Sequence, residues 1–169
     1  MKKLFLFIVV LCLLSNCNAR KKTLVHYLST LENVKFIVSK EDSIKIDSVK
    51  LSLQKTQEKI DREKNGGWIC FESEDRAQFK GGITLFRKLI FEKFKISTES
   101  KEGENLIRIT IGKDNNLEMV KLLKYSDENT KKQIEDIFKS KEFDNWSSAR
   151  LYRIPVKQQF EISIFIKKR

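Results

Sequence analysis

Few side chains in this sequence could do covalent or coordination chemistry. It holds 1 histidine, His26, and 3 cysteines, Cys12, Cys17 and Cys70. A nucleophilic serine or cysteine needs a base beside it and a third group to orient that base. No Ser or Cys stands in a pattern that gives it such a partner, and His26 sits far from any nucleophile motif. Metal-ligand spacings such as C-x-x-C or H-x-x-x-H are absent. Gly66-Gly67 and Gly81-Gly82 lack the further glycines and the Lys-Ser/Thr of a phosphate-cradling loop. The acid pair Glu72 and Glu74 reads as surface charge. The chain reads as a non-enzyme, with no cofactor and no metal site.

The cysteines point elsewhere. Lys2 and Lys3 followed by the apolar run Leu4 to Leu14 make an export signal, too short for the ~20 residues that span a bilayer. A short signal anchor is the alternative to cleavage. Leu14-Ser15-Asn16-Cys17 resembles a bacterial lipobox, in which the chain is cut before the Cys and that Cys is acylated. Asn16 stands where a small residue is usual, and ordinary secretory cleavage after Ala19 is the other outcome. Loss of Cys12 with the signal and acylation of Cys17 leave Cys70 alone, so no intramolecular disulfide is available. Between Ile69 and Phe71, Cys70 reads as a strand residue packed in a core.

Charge narrows the partners. Lys and Arg number 34 against 23 Asp and Glu, a formal +11. Arg20, Lys21 and Lys22 would lie against anionic head groups beside the anchor. The rest of the positive charge reads as a solvated surface. Nucleic acid is disfavoured by the export signal, and no basic-aromatic interleaving of the base-stacking kind is present. With 40% apolar and 34% charged residues, the composition suits a folded soluble domain. A single proline rules out a long polyproline spacer.

Periodicity supplies the elements. Leu24, Leu28 and Leu31 have helical spacing; Lys35 to Val38 look extended, as do Ile44, Ile46, Val49, Leu51 and Leu53 after a break at Asp47-Ser48. Gln54 to Lys64 predicts a solvated helix, ended by the turn signal Asn65-Gly66-Gly67. Trp68 to Glu72 predicts an entry strand, and Ile83, Phe86, Leu89, Ile90 and Phe94 one apolar helical stripe. Ile107, Ile109 and Ile111 alternate as a strand, Gly112 to Asn116 turns, and Leu117, Met119, Leu123 and Tyr125 return. Ser126 is the expected N-cap of a second helix, with Lys139 and Lys141 in its last turn and Ile134, Ile137 and Phe138 buried. Last comes a long alternation: Val156, Gln158, Phe160, Ile162, Ile164 and Ile166 face one way. Lys157, Gln159, Glu161, Ser163 and Lys167 face the other, with Phe165 out of pattern. These elements predict an α+β, two-layer domain: an antiparallel sheet with two helices on one face. Trp146 would plug its core.

The order and spacing of these pieces resemble the C-terminal domain of TonB-type periplasmic proteins, in the version common in Bacteroidetes-like bacteria. The resemblance rests on Phe79-Lys80-Gly81-Gly82 with Leu85, Leu89 and Ile90, on the turn Lys113-Asp114-Asn115-Asn116, and on Trp146 followed by Pro155-Val156. It covers residues 72 to 169. Ser148 and Arg153 stand where the family usually has Pro and Gly, and Lys95-Ile96 where it has Tyr-Pro.

With the export signal and the lipobox-like motif, the resemblance divides the chain into a signal peptide (1–16), a lipid-anchored N-terminal segment or added layer (17–67) and a TonB C-terminal-like domain (68–169). It implies a binding module that takes an extended peptide of an outer-membrane transporter or other envelope protein by strand addition. The receiving edge would be the last strand, with Gln159, Glu161, Ser163 and Phe165 on its partner-binding side. Lipidation at Cys17 would hold the exported protein on a membrane facing the periplasm, with the outer membrane the expected one. The alternative is a structural or surface-binding lipoprotein that keeps the fold and has lost the peptide contact.

Overall fold

The computed structural model describes residues 23–63 and 67–169. The expected export signal, the expected lipidation site Cys17, and Asn65-Gly66 of the turn signal lie outside the described residues. The chain is α+β, and every strand pair is antiparallel.

The hub of the sheet is the last strand, β9 (Ile154–Lys168). Along one side runs β5 (Gly103–Ile111), paired from Gly103↔Ile166 to Ile111↔Gln158, and beyond it β6 (Leu117–Lys124). The other side of β9 is shared by three shorter strands. β1 (Leu24–Leu28) pairs with its C-terminal part, β2 (Glu32–Ile37) with its middle, and β8 (Ala149–Leu151) with its start. β3 (Glu74–Asp75) adds to β8, while β4 (Gln78–Phe79) and β7 (Trp146–Ser147) form a separate small ribbon.

Two helices cover the apolar face. α2 (Gly82–Lys93) buries Phe86 and Ile90, with Phe94 at its end, and α3 (Glu128–Phe138) buries Ile134, Ile137 and Phe138. They meet Ile107, Ile109 and Ile111 of β5 and Phe160, Ile162, Ile164 and Ile166 of β9 in one core. The two-residue period of the strands and the three-to-four-residue period of the helices each present one apolar side, so two layers suffice. Trp146 is buried in this core against Phe79, Phe86 and Phe160, and its indole N–H donates to the Phe143 carbonyl at 2.9 Å.

Turns follow local chemistry. Gly81 enters α2 at φ 89°, in the left-handed region that glycine adopts most readily, and a Cβ there would push Leu85 Cδ2 aside from 2.5 Å. Asn115 holds the left-handed position of the β5–β6 turn at φ 61°, and its side chain accepts the Ser148 N–H at 2.8 Å.

The N-terminal third departs from the sequence reading. Leu24 and Leu28 are strand residues, because β1 finds a ladder on β9 that their helical spacing does not reveal. Residues 24–37 thereby add to the main sheet. The stretch Ile44 to Leu53 is helical: α1 runs Lys40–Arg62, capped by Ser39, whose hydroxyl accepts the Asp42 N–H. Its inward stripe is Asp42, Ile46, Val49, Leu53 and Ile60, while Ile44 and Leu51 are exposed. Ile46 meets Ala149 and Val156 in a second small core, and Asp42 takes the Lys113 ammonium at 2.6 Å. Trp68 to Glu72 is not a strand, and Cys70 is exposed, because Gln57 of α1 binds this segment through Gly67 C=O and Ile69 N–H instead of a sheet doing so. At α3 the N-cap is Asp127, not Ser126: its carboxylate accepts the Thr130 N–H at 2.8 Å. Lys139 is the C-cap residue and Lys141 opens a short 3-10 turn, so neither lies in the last turn.

Candidate functional site

The residues expected to face a partner, Gln159, Glu161, Ser163 and Phe165, do share one side of β9, opposite the core. That side is not an edge, and its middle is not exposed. β9 is paired on both flanks, so its backbone groups are committed to its own sheet. At Ser163 the commitment is explicit. Its N–H donates to Ser29 Oγ and its carbonyl accepts the Ser29 N–H, both at 2.9 Å, at the junction between β1 and β2. Gln159, Glu161 and Ser163 are all buried beneath neighbours on the adjacent strands.

Those neighbours form a polar network across the sheet. Arg108 of β5 donates from Nε and Nη2 to Glu161 Oε1 at 2.9 and 2.7 Å, and Asn33 of β2 donates to Oε2. The Asn33 amide and then the Arg108 guanidinium hold the Glu161 carboxyl below its ordinary range. Ser163 Oγ donates to Glu104 at 2.8 Å and Lys124 reaches the same carboxylate at 3.1 Å; together they lower its pKa. Gln159 donates to Thr110 at 3.3 Å. Phe165 stacks on Tyr27, ring centroids 4.9 Å apart. Each carboxylate here is satisfied by a cation or amide within the sheet. The network ties β2, β5 and β9 together across the sheet.

The edge that remains open on the long side is β6, which has a ladder to β5 and no strand beyond it among the described residues. Two irregularities interrupt its pairing, between Leu106 and Ile107 and between Thr110 and Ile111. The hairpin closes with the Gly112 N–H on Asn116 C=O at 2.9 Å. Hydrogen-bonded pairs alternate from that point, with Glu118 as the extra residue. Met119 and Lys121 then turn their backbone groups toward β5, while Val120 and Leu122 turn theirs outward. Lys121 and Lys124 flank the edge, Met119 and Leu123 are exposed, and Val120 and Leu122 pack against the core.

Sequence reasoning missed this edge because it counted too few strands. The alternation of Leu24, His26 and Leu28 was the available signal: read as strand, it demands a partner, and the longest apolar strand is the natural one. Among the described residues no group of His, Cys, Asp and Glu could hold a metal ion, and no helix is long and apolar enough to cross a membrane. Compared with protein-family models, with curated proteins and with solved structures, the chain matches none.

Proposed function

We propose that this chain is a lipid-anchored envelope protein without catalytic activity that binds an extended peptide of another envelope protein by strand addition, and that the receiving edge is β6. The observation that carries the reading is the outward backbone of Val120 and Leu122 on a strand with nothing beside it among the described residues. An incoming peptide would complete those hydrogen bonds and lay alternate side chains over Met119 and Lys121. Lys121 and Lys124 discourage pairing of two copies and favour an acidic or neutral peptide. The lipid anchor rests on the Leu-Ser-Asn-Cys motif at Cys17.

Val120→Pro removes one outward N–H, spares the ladder to β5 and keeps an apolar group inward. It should stay folded by circular dichroism and lose the partner recovered from detergent-solubilised envelope. Lys121→Pro, of opposite parity, should instead be destabilised. A folded Val120→Pro protein that recovers the same partner at wild-type yield rejects strand addition at β6.

The two ladder irregularities of β6 favour a second reading, because natural sheets use bulges to keep edges unpaired. In it the protein holds anionic envelope polymers through its positive surface. Binding of that kind weakens steeply with salt, whereas backbone pairing does not.

A further inference from the structure

Between the β1–β2 junction, β4 and the start of α2 lies an open groove of about 510 Å³. Its walls are Leu31, Phe79, Ile83 and Trp146, with Arg76 and Arg87 at its sides, and no Asp or Glu lines it. Neither arginine has an ion pair among the described residues. Arg87 spends Nη2 on the Leu28 carbonyl at 3.3 Å, and its Nε is buried with no partner. α2 begins at the groove with Gly82 and Ile83; its cap residue Gly81 has no side-chain bond to offer and its first turn has no acid. Two guanidiniums and a helix N-terminus therefore present uncompensated positive charge over an apolar trough.

The wall also offers a backbone. Arg76 to Phe79 line the groove in succession. The Lys80 N–H bonds to Asn145 C=O at 2.8 Å, and Phe79 pairs with Trp146 without being in the hydrogen-bonded position. By the alternation of antiparallel pairs, the Phe79 N–H and C=O then point away from β7. Gln158, 2% exposed, accepts the Ala77 N–H of this wall on Oε1 and leaves its own Nε2 without a partner. Gln158 lies behind this wall and holds it in place; an apolar body with one anionic end and a backbone of its own meets the arginines, the apolar walls and the Phe79 backbone.

We propose that this groove binds the C-terminal end of an extended peptide whose last residue is apolar, with the terminal carboxylate on Arg76 and Arg87 and the last side chain over Phe79 and Trp146. A fatty acid would satisfy the charge and the apolar walls and leave the Phe79 backbone unused. This site is distinct from the β6 edge and does not depend on it.

The test uses the Trp68→Phe protein, in which Trp146 is the remaining tryptophan and reports the groove. The probes are a pool of short synthetic peptides ending in Val, Leu or Phe, each made as free acid and as C-terminal amide, with decanoate as a third arm. Acid-ended peptides should be retained and should change Trp146 emission, with amides about tenfold or more weaker, the scale of losing one charge-assisted hydrogen bond. Arg76→Gln and Arg87→Gln should each reduce binding of the acids by a similar factor. Arg76 is exposed, so its variant carries this arm if the Arg87 variant does not fold. Val120→Pro should bind the peptides normally, which separates this site from the β6 reading. Equal retention of acids and amides, or no retention above the arginine variants, overturns the proposal. Decanoate binding as tightly as the best peptide replaces it with an acyl-chain site.

Discussion

Arg108 and Glu161, on neighbouring strands, hold each other through two hydrogen bonds of 2.9 and 2.7 Å to a single carboxylate oxygen. The Glu161 side chain is 8% exposed and the Arg108 side chain 34% exposed, so the pair sits at the boundary between sheet and solvent. Removing the cation strands a buried charge with the Asn33 hydrogen bond and the more distant charge of Lys35 as its remaining support. Arg108→Ala should therefore cost about 2 kcal/mol in urea denaturation at neutral pH, near the scale for leaving a charged hydrogen-bonding group unmatched.

The same network sets the acid limb of stability. Glu161 and Glu104 are both held below the ordinary glutamate value. A depressed carboxyl stabilises the fold above its unfolded pKa, about 4.3, and that stability is lost as pH falls through the folded value. The urea midpoint should drop below about pH 4.3. Glu161→Gln should be less stable than wild type at pH 7 and should lose less on acidification. Parallel pH profiles for the two proteins would remove Glu161 from the account.

Trp146→Ala should cost about 3–5 kcal/mol, as large aromatic truncations in cores do. Three aromatic rings, those of Phe79, Phe86 and Phe160, and a buried indole hydrogen bond depend on it. An unchanged denaturation midpoint would place the side chain outside the cooperative core.

Asp42 and Lys113 fasten the first turn of α1 to the β5–β6 turn at 2.6 Å. Lys113 and then Ser39 hold the Asp42 carboxyl below its ordinary range, and Asp42 raises Lys113. Lys113→Ala should speed hydrogen exchange in the first turns of α1 and leave α2 unchanged. Faster exchange throughout the sheet would show that α1 is part of the global unfolding unit.

Cys17→Ser should release the protein from the membrane fraction and abolish labelling by a fatty-acid analogue. Equal labelling of wild type and variant removes the lipid anchor from the proposal.

How legible was this fold? The layer of Phe86, Ile90, Ile134 and Phe138 over the isoleucines of β5 and β9 followed directly from their periods, because each of those elements buries one face. Trp146 read as core for the same reason. Residues 40–62 did not, because exposed Ile44 and Leu51 mimic a strand alternation and mask the helical stripe through Ile46, Leu53 and Ile60. Gln159, Glu161 and Ser163 looked solvated because they are polar. They are buried because Arg108, Asn33, Thr110 and Glu104, all distant in sequence, lie over or beside them. No local pattern carries such pairings, and the expectation of an open, solvated edge at β9 failed for that reason.

β9 follows in sequence every strand that pairs with it. A ribosome makes β1, β2 and β5 long before the strand that completes their hydrogen bonds exists, and until then only the β5–β6 hairpin and the helices have local partners. Contacts of such long sequence separation slow folding, since loop-closure entropy is lost before the pairing rewards it. The nascent chain therefore stays open until β9 is made, and a chain stopped short of Ile154 has only the β5–β6 hairpin for the helices to cover. Closure of the sheet thus waits on Val156 to Ile166.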